Sequence, residues 1–233
     1  GAMRLAFFQT YGARARVFVG WDNFRFLLSD PDFGAAVLNT LTFAAASLLV
    51  QLPLALGLAL LLDGTAGRVR TFLRLVLFSP NLVGSIFVGL LWSALFAPRH
   101  GLVNRTFHAV LGFGLDRRWL EEPALVMPAL VLTSLWMYVG FNMIFFLAAL
   151  QNVDRDLADA AKVDGATTWQ SFRHVTWPAI RPVAGFVVTM SLVGSLQLFE
   201  LPLVLFSGSN GFGPDKAALT MLTYLNDAAF NRG

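Results

Sequence analysis

The feature that most constrains this chain is the length of its charge-free runs. Ala35 to Leu62 holds no Asp, Glu, Lys or Arg in 28 residues. Leu75 to Ala97 holds none in 23, and Pro123 to Leu150 none in 28. Pro182 to Phe206 holds one, Glu200, in 25. Each run meets the roughly 20 apolar residues needed to cross a bilayer. A surface helix of a soluble domain shows an apolar stripe with a charged back, whereas these runs are apolar all round. In lipid only a helix or a closed barrel satisfies its own backbone. Barrel strands are about ten residues long and alternate in polarity, which these runs do not. The chain therefore reads as all-α, a polytopic membrane helical bundle with at least four transmembrane helices.

Composition supports this and excludes other classes. Only 13% of the 233 residues are charged and 56% are hydrophobic, with 22 Phe and 6 Trp; an ordinary soluble domain carries about 25% charged residues. A soluble enzyme, a disordered chain and a nucleic-acid binder are all disfavoured, because the basic residues are scattered and form no run. The absence of Cys removes disulfides, thiol catalysis and Cys-based metal sites. The three His residues, His100, His108 and His174, show no metal-ligand spacing with acids. Asn104-Arg105-Thr106 fits a short glycosylation pattern of the kind that arises by chance. No nucleophile elbow, HExxH or paired-carboxylate arrangement is present, so catalytic and metal sites are expected to be absent.

Pro53, Pro80, Pro128 and Pro202 lie within or near the ends of the runs. Each removes a backbone donor, and Pro80 followed by Asn81 points to a local break that lines a path or to a tolerated kink. Basic loop residues, which usually fix orientation, do not decide here. By alternation, segments 63–74 and 151–181 share one side with seven: Arg68, Arg70, Arg74, Arg155, Lys162, Arg173 and Arg181. Segments 11–34 and 98–122 carry seven on the other: Arg14, Arg16, Arg25, Arg99, Arg105, Arg117 and Arg118. Gly1 to Thr10 is mildly apolar, its Gly-Ala-Met start reading as a tag scar or the tail of a preceding helix, and the chain stops at Asn231-Arg232-Gly233 just after a short apolar segment, Ala217 to Phe230.

The most informative stretch is the polar insert 151–181, which holds 8 of the 31 charged residues. Asp156 to Val163 has helix-forming composition with acids early, where they suit the helix N-terminus. Asp164-Gly165 supplies a turn, since Gly accepts left-handed backbone cheaply. Thr167 or Thr168 is placed to cap a second short helix carrying Trp169, Phe172 and Val175, which Pro178 is expected to interrupt. The product is a helix–turn–helix knuckle that presents Ala160, Ala161 and Ala166 beside Trp169 and Phe172. Small residues next to an aromatic knob suit docking into a partner's groove.

These residues resemble a known family, the membrane-spanning permease subunits of bacterial ABC importers. The family's EAA loop appears as Asp159-Ala160-Ala161, then Gly165, then Val175-Thr176-Trp177-Pro178, with Asp159 for Glu, Val175 for Ile and Trp177 for Leu. Phe18-Val19-Gly20-Trp21-Asp22-Asn23-Phe24, Asn39-Thr40, Arg74 through Pro80, Gly101 with Asn104, and Trp119-Leu120 fall where the carbohydrate branch has similar residues. Gln197-Leu198-Phe199-Glu200 stands where sugar permeases have Q-x-F-D, and Gly211-Phe212-Gly213-Pro214 replaces their Gly-Gly-Pro.

The resemblance implies a type I ABC importer permease with six spans in the full subunit, residues 1–34 being the end of a preceding helix and an external loop. Residues 35–233 would form one permease domain, with a cytoplasmic coupling loop at 151–181 seated on a separate ATPase. The coupling residues would be Asp159, Ala160, Ala161, Asp164, Gly165, Ala166, Trp169, Phe172 and Pro178. Implied partners are a second permease, an ATPase dimer that holds ATP and Mg, an extracytoplasmic solute-binding protein and the lipid of a bacterial inner membrane. The chain lacks G-x-x-x-x-G-K-S/T, so no ATP-binding loop of that kind is its own.

Polar residues within spans are costly in lipid and mark candidate substrate contacts. Gln197 offers a donor and an acceptor to a hydroxyl-rich ligand. Tyr138 and Asn142 are four apart on one helix face, with Trp136 nearby, and Asn81 with Ser85 forms a similar pair. Glu200, 18 residues beyond Pro182 on a presumed continuous helix, fits an interfacial role or the wall of the path. Each of these also admits a packing role. The function expected is sugar import as half of a translocation path. Alternatives are the same architecture for another solute, such as glycerol phosphate, or an ion-coupled secondary transporter. The first alternative would place basic residues inside the spans and the second several ionisable groups.

Overall fold

The computed structural model describes residues 2–11, 15–65, 67–112 and 116–231. The expectations touching Gly1, Arg14 and the Arg232-Gly233 end lie outside them. Helices dominate, as the charge-free runs require. A short helix α1 (Ala2–Leu5) leads into an antiparallel hairpin of β1 (Phe8–Tyr11) and β2 (Ala15–Phe18), with Phe8 opposite Phe18. These four-residue strands were not read from the sequence, being too short to establish a period. Helix α2 (Asp22–Ser29) follows and leads directly into the first long run.

That run is α3 (Pro31–Asp63). Asp30 caps it by accepting the Asp32 backbone N–H at 2.8 Å, and Pro31 sits at the first turn, where its missing donor costs nothing. At the far end Arg70 donates to the carbonyls of Asp63 at 2.6 Å and Thr65 at 3.0 Å, closing carbonyls that a helix end leaves open.

The second run is not one straight helix. Helix α4 (Gly67–Leu82) and α5 (Ser85–Leu95) meet at a bend of 100°. Pro80 cannot donate to the Val76 carbonyl, and the Ser79 hydroxyl donates there instead at 2.9 Å. The helix survives two more residues before Gly84 turns extended. The local break expected at Pro80-Asn81 therefore exists, displaced to Val83-Gly84.

Helix α6 (Leu102–Leu111) lies between this pair and α7 (Pro123–Gln151). Over its most apolar window α7 is 56% buried, against 33% for α3 and 22% for the last long helix, so α7 is the centre of the bundle. Asn104, part of a chance glycosylation pattern and of the family resemblance, is fully buried. It accepts the Trp119 indole N–H at 2.7 Å and donates to the Arg117 carbonyl at 2.8 Å, which fastens α6 to the segment entering α7.

After α8 (Arg155–Val163) and α9 (Thr168–Ser171), a π-helical turn over Phe172–Thr176 runs straight into α10 (Trp177–Leu196). Pro178 does not interrupt the second short helix as expected. It falls in the first turn of α10, and the wider turn before it absorbs the mismatch. The run Pro182 to Phe206 is also divided. The helix stops at Leu196, residues 197–199 are not helical, and Glu200 opens a separate helix, α11 (Glu200–Leu205). Helix α12 (Met221–Phe230) closes the described chain.

Among the described residues, three helices are thus long and apolar enough to cross a membrane, or four when the bent α4–α5 pair counts as one span. Beside a small cluster of Ala36, Leu219 and Tyr224, two large apolar clusters fill the bundle. One gathers Trp92, Phe96, Trp119 and Leu130 with Leu201 and Phe206; the other gathers Leu52, Ala59, Met143 and Phe146 with Ile180. The outer surface is apolar as well, with Leu49, Leu61, Phe72 and Phe87 exposed.

Candidate functional site

Two places in this bundle depart from plain apolar packing. The first is a cavity of about 480 Å³ where both broken helices meet. Ser85 enters it from the start of α5, and Gln197 and Glu200 from the break between α10 and α11. Helix α7 contributes Ser134, Tyr138 and Asn142, and α10 contributes Ser191 and Ser195. Phe43, Phe141 and Phe199 supply apolar wall.

A discontinuous helix is a physical reason for a site here. Where a helix breaks, backbone polar groups are released into a region that must line a cavity or be buried in protein. Asn142 donates its side-chain amide to the Ser191 hydroxyl at 3.3 Å, tying α7 to α10 across the wall. Glu200 is the one charged residue among the described lining residues. The cavity thus offers hydroxyls, amides and aromatic faces, a set matched to a polyhydroxylated ligand.

Four of the five sequence-derived path residues, Tyr138, Asn142, Gln197 and Glu200, line this one cavity. Asn81 does not: it lies before the bend, and its companion Ser85 is the residue that faces inward. Trp136 also stands elsewhere, edge-on to Trp92 at 6.1 Å. Glu200 reaches the cavity as the first residue of α11, not from the end of one continuous helix. Sequence reasoning missed Gln51, buried on α3 and facing the same space. One of two amides in that uncharged run, with Asn39, it carried the same signal as Gln197 and Asn142.

The second place is the knuckle at 154–181. Asp154 caps α8 by accepting the Asp156 N–H at 2.9 Å, and Lys162 reaches Asp159 at 2.8 Å one turn away. Helix α8 ends in paired bonds, Ala166 N–H to the Ala161 carbonyl and Gly165 N–H to the Lys162 carbonyl, with Gly165 at φ +78°. This is the Schellman arrangement, which favours Gly at that position. Thr167 then opens α9 with a reciprocal capping box to Gln170.

Trp169 stacks on Phe172 at 5.7 Å, and Phe172 in turn meets Trp177 at 6.4 Å. Trp169 remains exposed, as do Leu157 and Val163, so the knuckle carries an apolar face with nothing over it. Ala160 is exposed, Ala161 and Ala166 half-buried, and Asp164 and Pro178 exposed. The helix–turn–helix expected there is present, and its shape is fixed by caps at both helix ends. His174 is exposed and bonds only to the Gln170 carbonyl at 3.0 Å, in keeping with polar surface.

Comparison with known proteins gives a consistent picture. Residues 51–224 match the family described as "Binding-protein-dependent transport system inner membrane component". The arabinooligosaccharides transport system permease protein AraP of Bacillus subtilis (strain 168) is 33% identical over 208 residues, covering 89% of this chain and 65% of that protein. The lactose transport system permease protein LacF of Rhizobium radiobacter is 33% identical over 213 residues, covering 91% of this chain and 70% of that protein. Among solved structures, a chain of a bacterial ABC transporter involved in importing the acidic polysaccharide alginate superposes with a TM-score of 0.81 at 27% identity. That match covers 99% of this chain and 77% of the other. This chain thus spans about two thirds of the length of the curated relatives it resembles.

Proposed function

The chain belongs to the binding-protein-dependent transport system inner membrane component family, and from that premise we propose that it forms half of the translocation path of an ATP-driven sugar importer. It is a permease subunit, as its named relatives are, and not an enzyme. A second permease completes the path in the bacterial inner membrane. A separate ATPase dimer binds ATP with Mg, and an extracytoplasmic solute-binding protein delivers the sugar. The observation that carries the reading is the cavity where the α4–α5 bend and the α10–α11 break meet, into which several hydroxyl and amide side chains project from a largely apolar wall.

The geometry supports a mechanical route between the partners. The knuckle seats on the ATPase through Asp159, Ala160, Ala161, Asp164, Gly165 and Ala166, with Trp169, Phe172 and Pro178 forming its aromatic flank. From Thr168 the backbone stays helical through the π turn to Leu196, 29 residues or about 43 Å. The far end of that rod carries Met190, Ser191 and Ser195 in the cavity wall. When the ATPase dimer closes on ATP, motion at the knuckle passes along the rod to the residues that face the sugar. ATP binding supplies the differential stability of inward- and outward-facing states that any ligand-driven switch requires. Gln197, Tyr138 and Asn142 hydrogen-bond sugar hydroxyls, with Glu200 at the same wall.

The cavity disfavours glycerol phosphate as the solute, since no Lys, Arg or His is among its described lining residues. An ion-coupled carrier needs several ionisable groups in the path, and Glu200 stands alone there. The test is uptake by the transporter reconstituted with its partner subunits. ATP-dependent accumulation of a labelled oligosaccharide is expected; accumulation driven by an ion gradient without ATP would overturn the reading.

A further inference from the structure

The N-terminal aromatic patch packs only its underside against described residues and leaves most of its apolar surface exposed. Phe18 is 68% exposed, Trp21 65%, Phe26 72% and Leu28 79%, and α2 contributes no buried residue. Water is a poor medium for four large apolar side chains on one short segment. Nor is the segment loose. The Asn23 side chain donates to the carbonyls of Ala6 at 2.9 Å and Phe8 at 3.3 Å, clamping α2 to the hairpin. Phe7 packs against Trp21 and Phe24, and Leu27 lies on the cluster of Ala36, Leu219 and Tyr224. The patch is held outward by design of its underside.

Helix length says what covers it. Helix α3 has 33 residues, about 50 Å along its axis, against roughly 40–45 Å for a bilayer with its headgroups. Its first turn therefore emerges within or just above the headgroup zone. Helix α2 ends at Ser29, one residue short of the α3 cap Asp30, so its C-terminal end lies at that same depth. Leu38 and Leu41 on the following turns of α3 are exposed as well. The segment also carries an exposed ion pair, Arg25 with Asp22 at 3.7 Å. Trp beside Phe and Leu on a short amphipathic helix is the composition of a segment lying in the membrane interface.

We propose that Phe18, Trp21, Phe26 and Leu28 seat α2 and the hairpin in the headgroup–acyl boundary of the leaflet opposite the knuckle, anchoring the entry of α3. The inference rests on the membrane placement of α3 but not on the identity of the solute. The occupant is lipid; a partner protein over the same patch is the competing outcome.

The sequence contains no Cys, which allows single nitroxide labels. Phe26→Cys, Leu28→Cys, Leu49→Cys and Asp116→Cys would each be labelled in the assembled transporter, its other cysteines replaced, in phosphatidylethanolamine–phosphatidylglycerol vesicles. Collision with oxygen and with a water-soluble nickel chelate then gives depth. Labels at 26 and 28 are expected to collide severalfold more with oxygen, relative to nickel, than the label at exposed Asp116, and less than the label at Leu49. Nickel access equal to that at 116 would overturn the proposal, as would immobilised labels shielded from both reagents, the signature of a protein cover. Nickel access at Leu49 as well would show that the membrane placement itself had failed.

Discussion

Gly140 on α7 lies so close to Leu77 on α4 that a methyl group placed on it would overlap the Leu77 carbonyl oxygen. Two helix backbones touch there, next to Tyr138 and Asn142 of the cavity wall. The contact sets how near the bent α4–α5 pair stands to the central helix. Gly140→Ala must separate the two backbones, and over-packing of this kind costs on the order of 1–3 kcal/mol. The detergent-solubilised protein should melt roughly 3–10 °C lower. An unchanged melting temperature would show that the crossing relaxes freely.

Gly165 at φ +78° and its bond to Lys162 define the knuckle. Gly165→Pro removes the donor and forces φ to about −65°. ATP-driven uptake should fall to background while the subunit still reaches the membrane. ATPase activity should then no longer respond to sugar. Normal uptake by this variant, or by Ala161→Trp, would separate the loop from coupling.

Gln197 stands in the cavity wall at the α10–α11 break. Losing one neutral hydrogen bond to substrate is worth about 0.5–1.5 kcal/mol. Gln197→Ala should therefore weaken half-saturation for sugar by roughly 2- to 12-fold, with the complex still purifying intact. Wild-type uptake across all sugar concentrations would remove Gln197 from the path.

Asn104 is fully buried, and its removal leaves the Trp119 indole N–H without an acceptor. Asn104→Leu should cost about 1–3 kcal/mol, read as faster proteolysis around residues 98–122 in folded protein. Protection equal to wild type would show that the latch is dispensable.

Much of the knuckle was legible because its determinants are local. Gly165 announces the left-handed turn, Thr167 the cap and Asp154–Asp156 the helix start, each settled within about four residues. The long runs were legible because burial in lipid leaves no tolerance for charge. Of their breaks, Pro80 signalled the one between α4 and α5, but nothing signalled the one after Leu196. Gln197-Leu198-Phe199 contains neither Gly nor Pro, and the bend there is held from a distance, by the Thr220 hydroxyl donating to the Leu198 carbonyl at 2.8 Å. Hydropathy reports what surrounds a side chain, not which way its backbone travels. The role of Asn104 was hidden likewise, since its partners lie 13 and 15 residues away.

The π turn at Phe172–Thr176 admits Pro178 without interrupting the helix, so the aromatic flank of the knuckle and the cavity wall lie on one continuous helical run. Under the proposed function that continuity works in both directions. Linkage between two binding sites is reciprocal: whatever factor ATP applies to affinity in the cavity, the cavity's occupant applies to affinity for ATP. The importer would then sense its cargo through the same helix that it pushes, and idle hydrolysis would be restrained by an empty path.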